Sequence, residues 1–355
     1  MTQAEEPIFC DKVGEWGVIT LARPKALNSL TKEMCATLDA ALIRWADDDE
    51  VKAVLIEGAG EKAFCAGGDI RWLYDAGQQD PAAAATFFRV EYLMNARIAA
   101  FPKPYVALMD GVTMGGGVGV SLSASHRIAT DRTLWAMPEC GIGLIPDVGG
   151  TYLLSRLPGG LGYYLGLTGR RLSGQDCLDA EIATHLVPAA EVAALREILL
   201  GLALGSEAKG AIDAALKAYR PGRPGPLIDQ VRDIDTYFMQ ISSVAALVEK
   251  LRRVETDFAK KALTGLKSGS PTSLVLTHRL IKEAPEAIND CLMKEFCAAA
   301  RLMAGPDFHE GVRAQIIDKD RRPQWSPGRL TDVEDEVIGA YLTPPADGPL
   351  DLSGV

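Results

Sequence analysis

Glu139 and Asp147 stand eight positions apart in PECGIGLIPDVGGTY, downstream of two glycine-rich turns, CAGGDI and TMGGGVG. Carboxylates move protons or attack carbonyl carbons. Glycine turns can offer backbone N–H groups to a ligand, because no Cβ stands in the way. Together these parts suit acyl-group chemistry, in which a carbonyl passes through an enolate or a tetrahedral intermediate and donors must wait where negative charge develops. Removing one such donor typically costs about 3–4 kcal/mol of barrier.

Each residue also has a plain structural reading. Gly115, Gly116 and Gly117 could serve close packing of a helix on a sheet. Alternatively the Gly116 N–H opens a helix, where unpaired donors favour an anion, and Gly68 supplies a second prong. Glu139 after Met137-Pro138, and Asp147 before Val-Gly-Gly, could each cap a helix. Glu91 in FFRVEY, taken alone, is a solvated helix position. The acidic runs at 47–50 and 332–336 read as solvated faces or helix starts. His309-Glu310 in DFHEGVR lacks a metal-like spacing and reads as a structural turn and cap.

The elements that must carry these residues follow from hydrophobic period. WGVITL at 16–21 alternates as a strand, closed by Arg23-Pro24. Asn28, Ser29 and Thr31 offer caps to a helix whose apolar positions Met34, Leu38, Leu42 and Trp45 recur at helical spacing. VKAVLIE at 51–57 is an apolar run of the kind found in strands covered on both faces, and GAGEKAFCAGGD follows as a loop. A second unit repeats the logic with a strand at 104–109, a turn at 111–117, a small-residue helix to about Ser125 and a strand at 127–130. The chain is thus expected to be built of β-β-α turns ending in glycine-rich loops. From residue 191 long Ala/Leu/Lys/Glu stretches take over, which divides the chain into a core at 1–190 and a mainly helical region at 191–355 packing on it. YRPGRPGPL at 219–227 reads as a linker or surface loop, and the tail TPPADGPLDLSGV as frayed.

Composition excludes several classes. With 355 residues and 48% hydrophobic content the chain can bury a sizeable core. A net charge of -10 argues against nucleic acid or an anionic membrane, both of which need a dense basic patch. No apolar run reaches membrane-spanning length, and MTQAEEPIFC is acidic, without the character of a transit or signal peptide, so a cytoplasmic protein is expected. The seven cysteines form no C-x-x-C pair, and no metal spacing accompanies the four histidines; reduced thiols are expected. Cys65 and Cys140 flank the suspect loops but read as packing residues rather than nucleophiles. Walker, dinucleotide, nucleophile-elbow and zincin signatures are missing.

ARPKALNSL, EKAFCAGGDI, KPYVALMDGVTMGGGVG and MPECGIGLIPDVGGTYLLSRLPG together resemble the crotonase (enoyl-CoA hydratase/isomerase) superfamily, and the likeness runs from about Val13 to Trp325. FFRVEYLMN, LTGRRLSGQDCLDAEIATHLV, SPTSL and DFHEGVRAQIIDKDRRPQW are similar to its branch of 3-hydroxyacyl-CoA hydrolases. The resemblance implies an α/β, crotonase-like (ClpP/crotonase) spiral of β-β-α turns with a helical C-terminal region. It implies an acyl-CoA substrate and no separate cofactor, since CoA belongs to the substrate. Gly68 and Gly116 would form the oxyanion hole, Glu139 and Asp147 the catalytic pair, and Glu91, Gly116, Glu139 and Asp147 the substrate contacts. Hydratases resemble this chain at Glu139 but carry a second glutamate at the Gly119 position and a glycine at Asp147; dienoyl-CoA isomerases carry an acidic residue at Gly119. Hydrolysis of 3-hydroxyisobutyryl-CoA, with 3-hydroxypropionyl-CoA beside it, in valine breakdown is therefore expected. The alternatives are a hydratase or isomerase and a non-catalytic acyl-CoA-binding protein. Arg23, Lys25 and Lys62 lie in loops that could face the CoA phosphates. A homo-oligomer through the helical region is implied too, although the longer C-terminal part could cover the same surface within one chain.

Overall fold

The computed structural model describes residues 6–79, 81–219 and 224–355, with backbone alone at 81–84. Part of the expected linker, at 220–223, and the start of the acidic N-terminus, at 1–5, lie outside the described residues. Ten strands are present among those described: β1 Ile8–Val13, β2 Trp16–Leu21, β3 Ala53–Gly58, β4 Ala63–Cys65, β5 Tyr105–Met109, β6 Val112–Met114, β7 His126–Thr130, β8 Leu134–Ala136, β9 Leu172–Ser173 and β10 His185–Val187. They form a six-stranded sheet in the order β1-β2-β3-β5-β7-β10 and a four-stranded sheet in the order β4-β6-β8-β9. Within the first, β2, β3, β5, β7 and β10 run parallel and β1 antiparallel. Each turn sends one long strand (β3, β5, β7) to the first sheet and the short strand after it (β4, β6, β8) to the second. This is the spiral of β-β-α turns.

The inner strands β3 and β5 of the six-stranded sheet are apolar on both faces because both are covered. Val54 and Ile56 of β3 join a core with Met34, Leu38 and Leu42 of α1 (Lys32–Asp47). Ala53 and Leu55, pointing the other way, meet Leu195, Leu199, Ile212 and Leu216 of helices Val192–Leu200 and Ala208–Leu216. Thr31 caps α1 by accepting the Met34 N–H at 3.2 Å. After β4 come α2 (Ile70–Gln79) and α3 (Pro81–Ala100), and after β6 the single turn α4 (Gly116–Gly119). Past Val187 every element among the described residues is helical, and the helix Ile288–Ala304 packs along α3.

Several local expectations need correction. β1 has no counterpart in the sequence reading, and β4 and β6 lie inside segments read as a loop and a turn. Three-residue strands are too short to show a period. The strand expected at 51–57 begins at Ala53. The helix expected to reach Ser125 stops at Gly119, because a run of glycines propagates a helix poorly. His309 and Glu310 lie inside the helix Pro306–Val312 rather than in a turn. The tail is not frayed: Leu350 and Leu352 are buried, and Arg89 of α3 donates to the carbonyls of Pro349 and Gly348 and to Asp347.

Candidate active site

The two glycine turns are built against one another. Asn28, fully buried with φ +56, accepts the Arg23 N–H and donates to the carbonyls of Ala59 and Ala63, which clamps the segment between β3 and β4. The chain after it forms a one-residue parallel bridge, Leu30 opposite Gly68, through Leu30 N to Gly67 O (2.8 Å) and Asp69 N to Leu30 O (2.9 Å). Gly67 takes φ +109, and a Cβ there would stand 3.3 Å from the Met114 carbonyl and 3.4 Å from the Gly116 nitrogen. Only glycine permits both that conformation and that approach. Neither the Gly68 nor the Gly116 N–H donates to a backbone carbonyl among the described residues. Two unengaged donors on touching loops are what an oxyanion hole requires.

Three carboxylates face these loops in one cavity of about 870 Å³, which Gly68, Glu91, Gly116, Glu139 and Asp147 all line. Glu139 opens the short helical turn Glu139–Ile142, and its Oε1 lies 3.3 Å from where a Cβ on Gly115 would be. Glu91 projects from α3, its Oε1 2.5 Å from the corresponding point on Gly116. Glu139 Oε2 and Glu91 Oε1 are buried without a hydrogen-bond partner. Asp147 Oδ2 accepts the Tyr92 hydroxyl at 2.5 Å.

Burial pushes all three carboxyls above the ordinary carboxylate range, and the charge of Asp147 raises Glu91 and Glu139 further. The Tyr92 hydroxyl opposes the rise at Asp147. A fourth carboxylate, Glu295, is fully buried behind them and pushed up to about 7 by burial. Carboxyls raised in this way can take up and release a proton nearer to neutral pH than ordinary ones, which suits general acid–base work. Cys65 and Cys140, both buried, are pushed up to about 12 by burial and are packing thiols.

Other residues fall elsewhere. Arg23 is committed to Asp69 (2.8 Å) and to Ser29, while Lys25 and Lys62 are exposed; none of the three lines the cavity. The cavity's cations are Arg171 and Arg321, which the sequence reading passed over. It also passed over Tyr92, Asn95 and Glu295. A signal existed: Glu91 and Asn95 are one helical turn apart on α3, and Glu295 interrupts the apolar stripe of Leu292, Phe296, Ala299 and Leu302. Asn95 explains a further point, because a Cβ on Gly119 would meet its Oδ1 at 3.0 Å and Val148 Cβ at 2.7 Å. A carboxylate on residue 119 would not fit.

Fold and cavity together define an acyl-CoA enzyme of crotonase architecture. The family described as enoyl-CoA hydratase/isomerase matches residues 16–342, and the chain belongs to that family. Among curated proteins, "3-hydroxyisobutyryl-CoA hydrolase, mitochondrial" of Danio rerio is 44% identical, with 95% of this chain and 89% of that protein covered. A solved structure described as a carnitinyl-CoA dehydratase from Mycobacterium thermoresistibile superposes with TM-score 0.91 at 38% identity, covering 99% of this chain and all of that one. Another, described as an enoyl-CoA hydratase from Rhodobacter sphaeroides 2.4.1, gives TM-score 0.89 at 41% identity, covering 98% of this chain and all of that one. The expectation of a cytoplasmic protein is overturned by the mitochondrial name of the curated relative. Acidic composition and scattered cysteines carry no signal that chooses among compartments whose thiols stay reduced.

Proposed function

We propose that this protein hydrolyses the thioester of 3-hydroxyisobutyryl-CoA, with 3-hydroxypropionyl-CoA as a second substrate, in valine breakdown. The observation that carries the reading is Asp147 beside Glu139 in the cavity while the space over Gly119 is closed by Asn95 and Val148. A hydratase of this superfamily uses a second carboxylate at that point. In our reading the thioester oxygen lies between the Gly68 and Gly116 N–H groups, which stabilise its charge as the carbonyl carbon becomes tetrahedral. Glu139, once ionised, either takes a proton from the attacking water or attacks directly and yields a mixed anhydride that water opens. In both routes the C–S bond breaks and the sulfur leaves as CoA thiol after taking a proton; the acid's new oxygen comes from water in the first route and from the Glu139 carboxylate in the second when water opens the anhydride at the Glu139 carbonyl. Label in Glu139 after one turnover in heavy-oxygen water would establish the anhydride route opened at the Glu139 carbonyl, since direct attack of water leaves the Glu139 oxygens unexchanged.

Asp147, held by Tyr92, would accept the substrate 3-hydroxyl, and Glu91 would orient that hydroxyl or the water. A site built to bind a hydroxyl rejects esters lacking one. Lys25, Lys62 and Arg23 are proposed to meet the CoA phosphates beyond the cavity; unchanged KM for CoA esters after their replacement by alanine would remove them. The division near residue 190 is proposed as a boundary of composition, with both regions completing one catalytic unit; a residue 1–190 fragment that hydrolyses the ester unaided would refute it.

The names of the two solved structures favour a second reading, hydration of an enoyl-CoA or its reverse. One assay separates the two. Purified protein is given 3-hydroxyisobutyryl-CoA with a thiol reagent, and crotonyl-CoA in parallel with the enone absorbance followed. Thiol release from the first alone is expected. Loss of enone absorbance without thiol would make the protein a hydratase.

A further inference from the structure

Asp147 begins a turn that its own sequence disfavours. Val148 has φ +55 and Gly149 φ +87, and a β-branched residue in the left-handed region is a steric outlier that persists only with outside support. The support comes from the C-terminal region. Glu295, on the helix Ile288–Ala304, accepts the Gly149 N–H at 2.8 Å, the Thr151 N–H at 2.9 Å and the Thr151 hydroxyl at 2.5 Å. Next to it, Phe296 meets the ring of Tyr92 edge-on with centroids 6.3 Å apart, and Tyr92 holds the Asp147 carboxylate. One helix thus braces both the backbone that follows Asp147 and the partner of its side chain.

Packing alone does not account for a glutamate here. Burying a carboxyl close to Asp147 is unfavourable, since the charge of one raises the other, and an apolar side chain would fill the space without that cost. Three donors converging from one turn do account for it, because only a carboxylate accepts them all without presenting a donor of its own. Glu295 does not line the cavity.

We propose that Glu295 is a positioning residue that holds the 147–151 turn in its left-handed form, so that the helical C-terminal region sets the geometry with which Asp147 reads the substrate hydroxyl. The role assigned to Asp147 rests on the hydrolase reading; the bracing of the turn does not.

The test is a double-mutant cycle of Glu295→Gln and Asp147→Asn, assayed on 3-hydroxyisobutyryl-CoA and isobutyryl-CoA, with amide hydrogen exchange followed at Gly149 and Thr151. The amide keeps the size of Glu295 but turns one acceptor into a donor that faces an N–H. Glu295→Gln should lower kcat/KM about 10- to 100-fold for the hydroxylated ester, and several-fold less for the other. The double variant should be no slower than Asp147→Asn alone, and both amides should exchange faster. Additive losses, equal losses on the two esters, or unchanged exchange would each overturn the proposal. Should Glu295→Gln fail to fold, Thr151→Val removes one donor and should show the same selective loss at smaller size; equal effects on both esters would count against it. If the wild-type protein releases no thiol, the hydrolase reading fails by itself, and exchange in Glu295→Gln still decides whether the turn is braced.

Discussion

Glu139 has two properties that follow from the same burial. It lies unpartnered against the glycine turns, and it holds its proton above the ordinary carboxylate range. A general base removed typically costs 10²–10⁴-fold in rate, so Glu139→Gln should lose about that much kcat. The same change removes a group whose ionisation opposes folding, so the variant should melt no lower than the wild type at pH 8. Retained hydrolysis would exclude Glu139 from the chemistry, and a lower melting point would mean that its carboxyl supports the fold. Asp147→Gly tests the neighbouring role. Discrimination between hydroxylated and unsubstituted esters should fall about 100-fold or more, by the size of penalty left by an unpaired buried polar group; equal losses on both would refute hydroxyl reading.

Among elements, α3 does most to join the two regions of the chain. Its face carries Glu91, Tyr92 and Asn95 toward the site, and its Arg89 lies 4.5 Å over the Phe296 ring while donating to the tail. Two carbonyl hydrogen bonds and a cation–π contact are together worth on the order of 2 kcal/mol. Arg89→Ala should therefore lower stability by about that amount and open the 345–355 tail to protease, which limited digestion followed by mass spectrometry would read. A tail equally resistant in the variant would mean that Leu350 and Leu352 hold it unaided.

For the whole molecule the buried carboxyls predict how stability varies with pH. Glu91, Glu139, Asp147 and Glu295 all have raised values in the folded state, about 7 for Glu295, whereas in the unfolded chain they ionise near 4. The folded state therefore binds more protons in between. The stability they contribute is present in full below their unfolded values and is lost as pH rises through the folded ones. His126, His278 and His309 are lowered by burial and act oppositely, destabilising the fold as pH falls below about 6.5. Above that value the carboxyls act first, and toward pH 8 the buried cysteines, whose values are also raised, add to the same decline. Melting temperature should decline between about pH 6.5 and 8, more steeply in the wild type than in Glu139→Gln; a rise over that interval would contradict the cluster as described.

Much of this was legible from local pattern. The spacing of Met34, Leu38, Leu42 and Trp45 marks α1, the apolar runs mark β3 and β5, and the residues that gather in the cavity, Gly68, Glu91, Gly116, Glu139 and Asp147, stand in motifs readable without coordinates. These are properties of residue type and near-neighbour order, which sequence carries directly. Short strands and long-range contacts are not. β4 and β6 exist because they pair with each other, the tail because Arg89 reaches it across some 260 positions, and the grip of Glu295 on Gly149 because a helix 146 positions later folds back onto the turn. A glutamate in an apolar helix stripe signals a buried partner. Which partner it finds, and that the partner is the turn carrying Asp147, is decided only when the chain closes on itself.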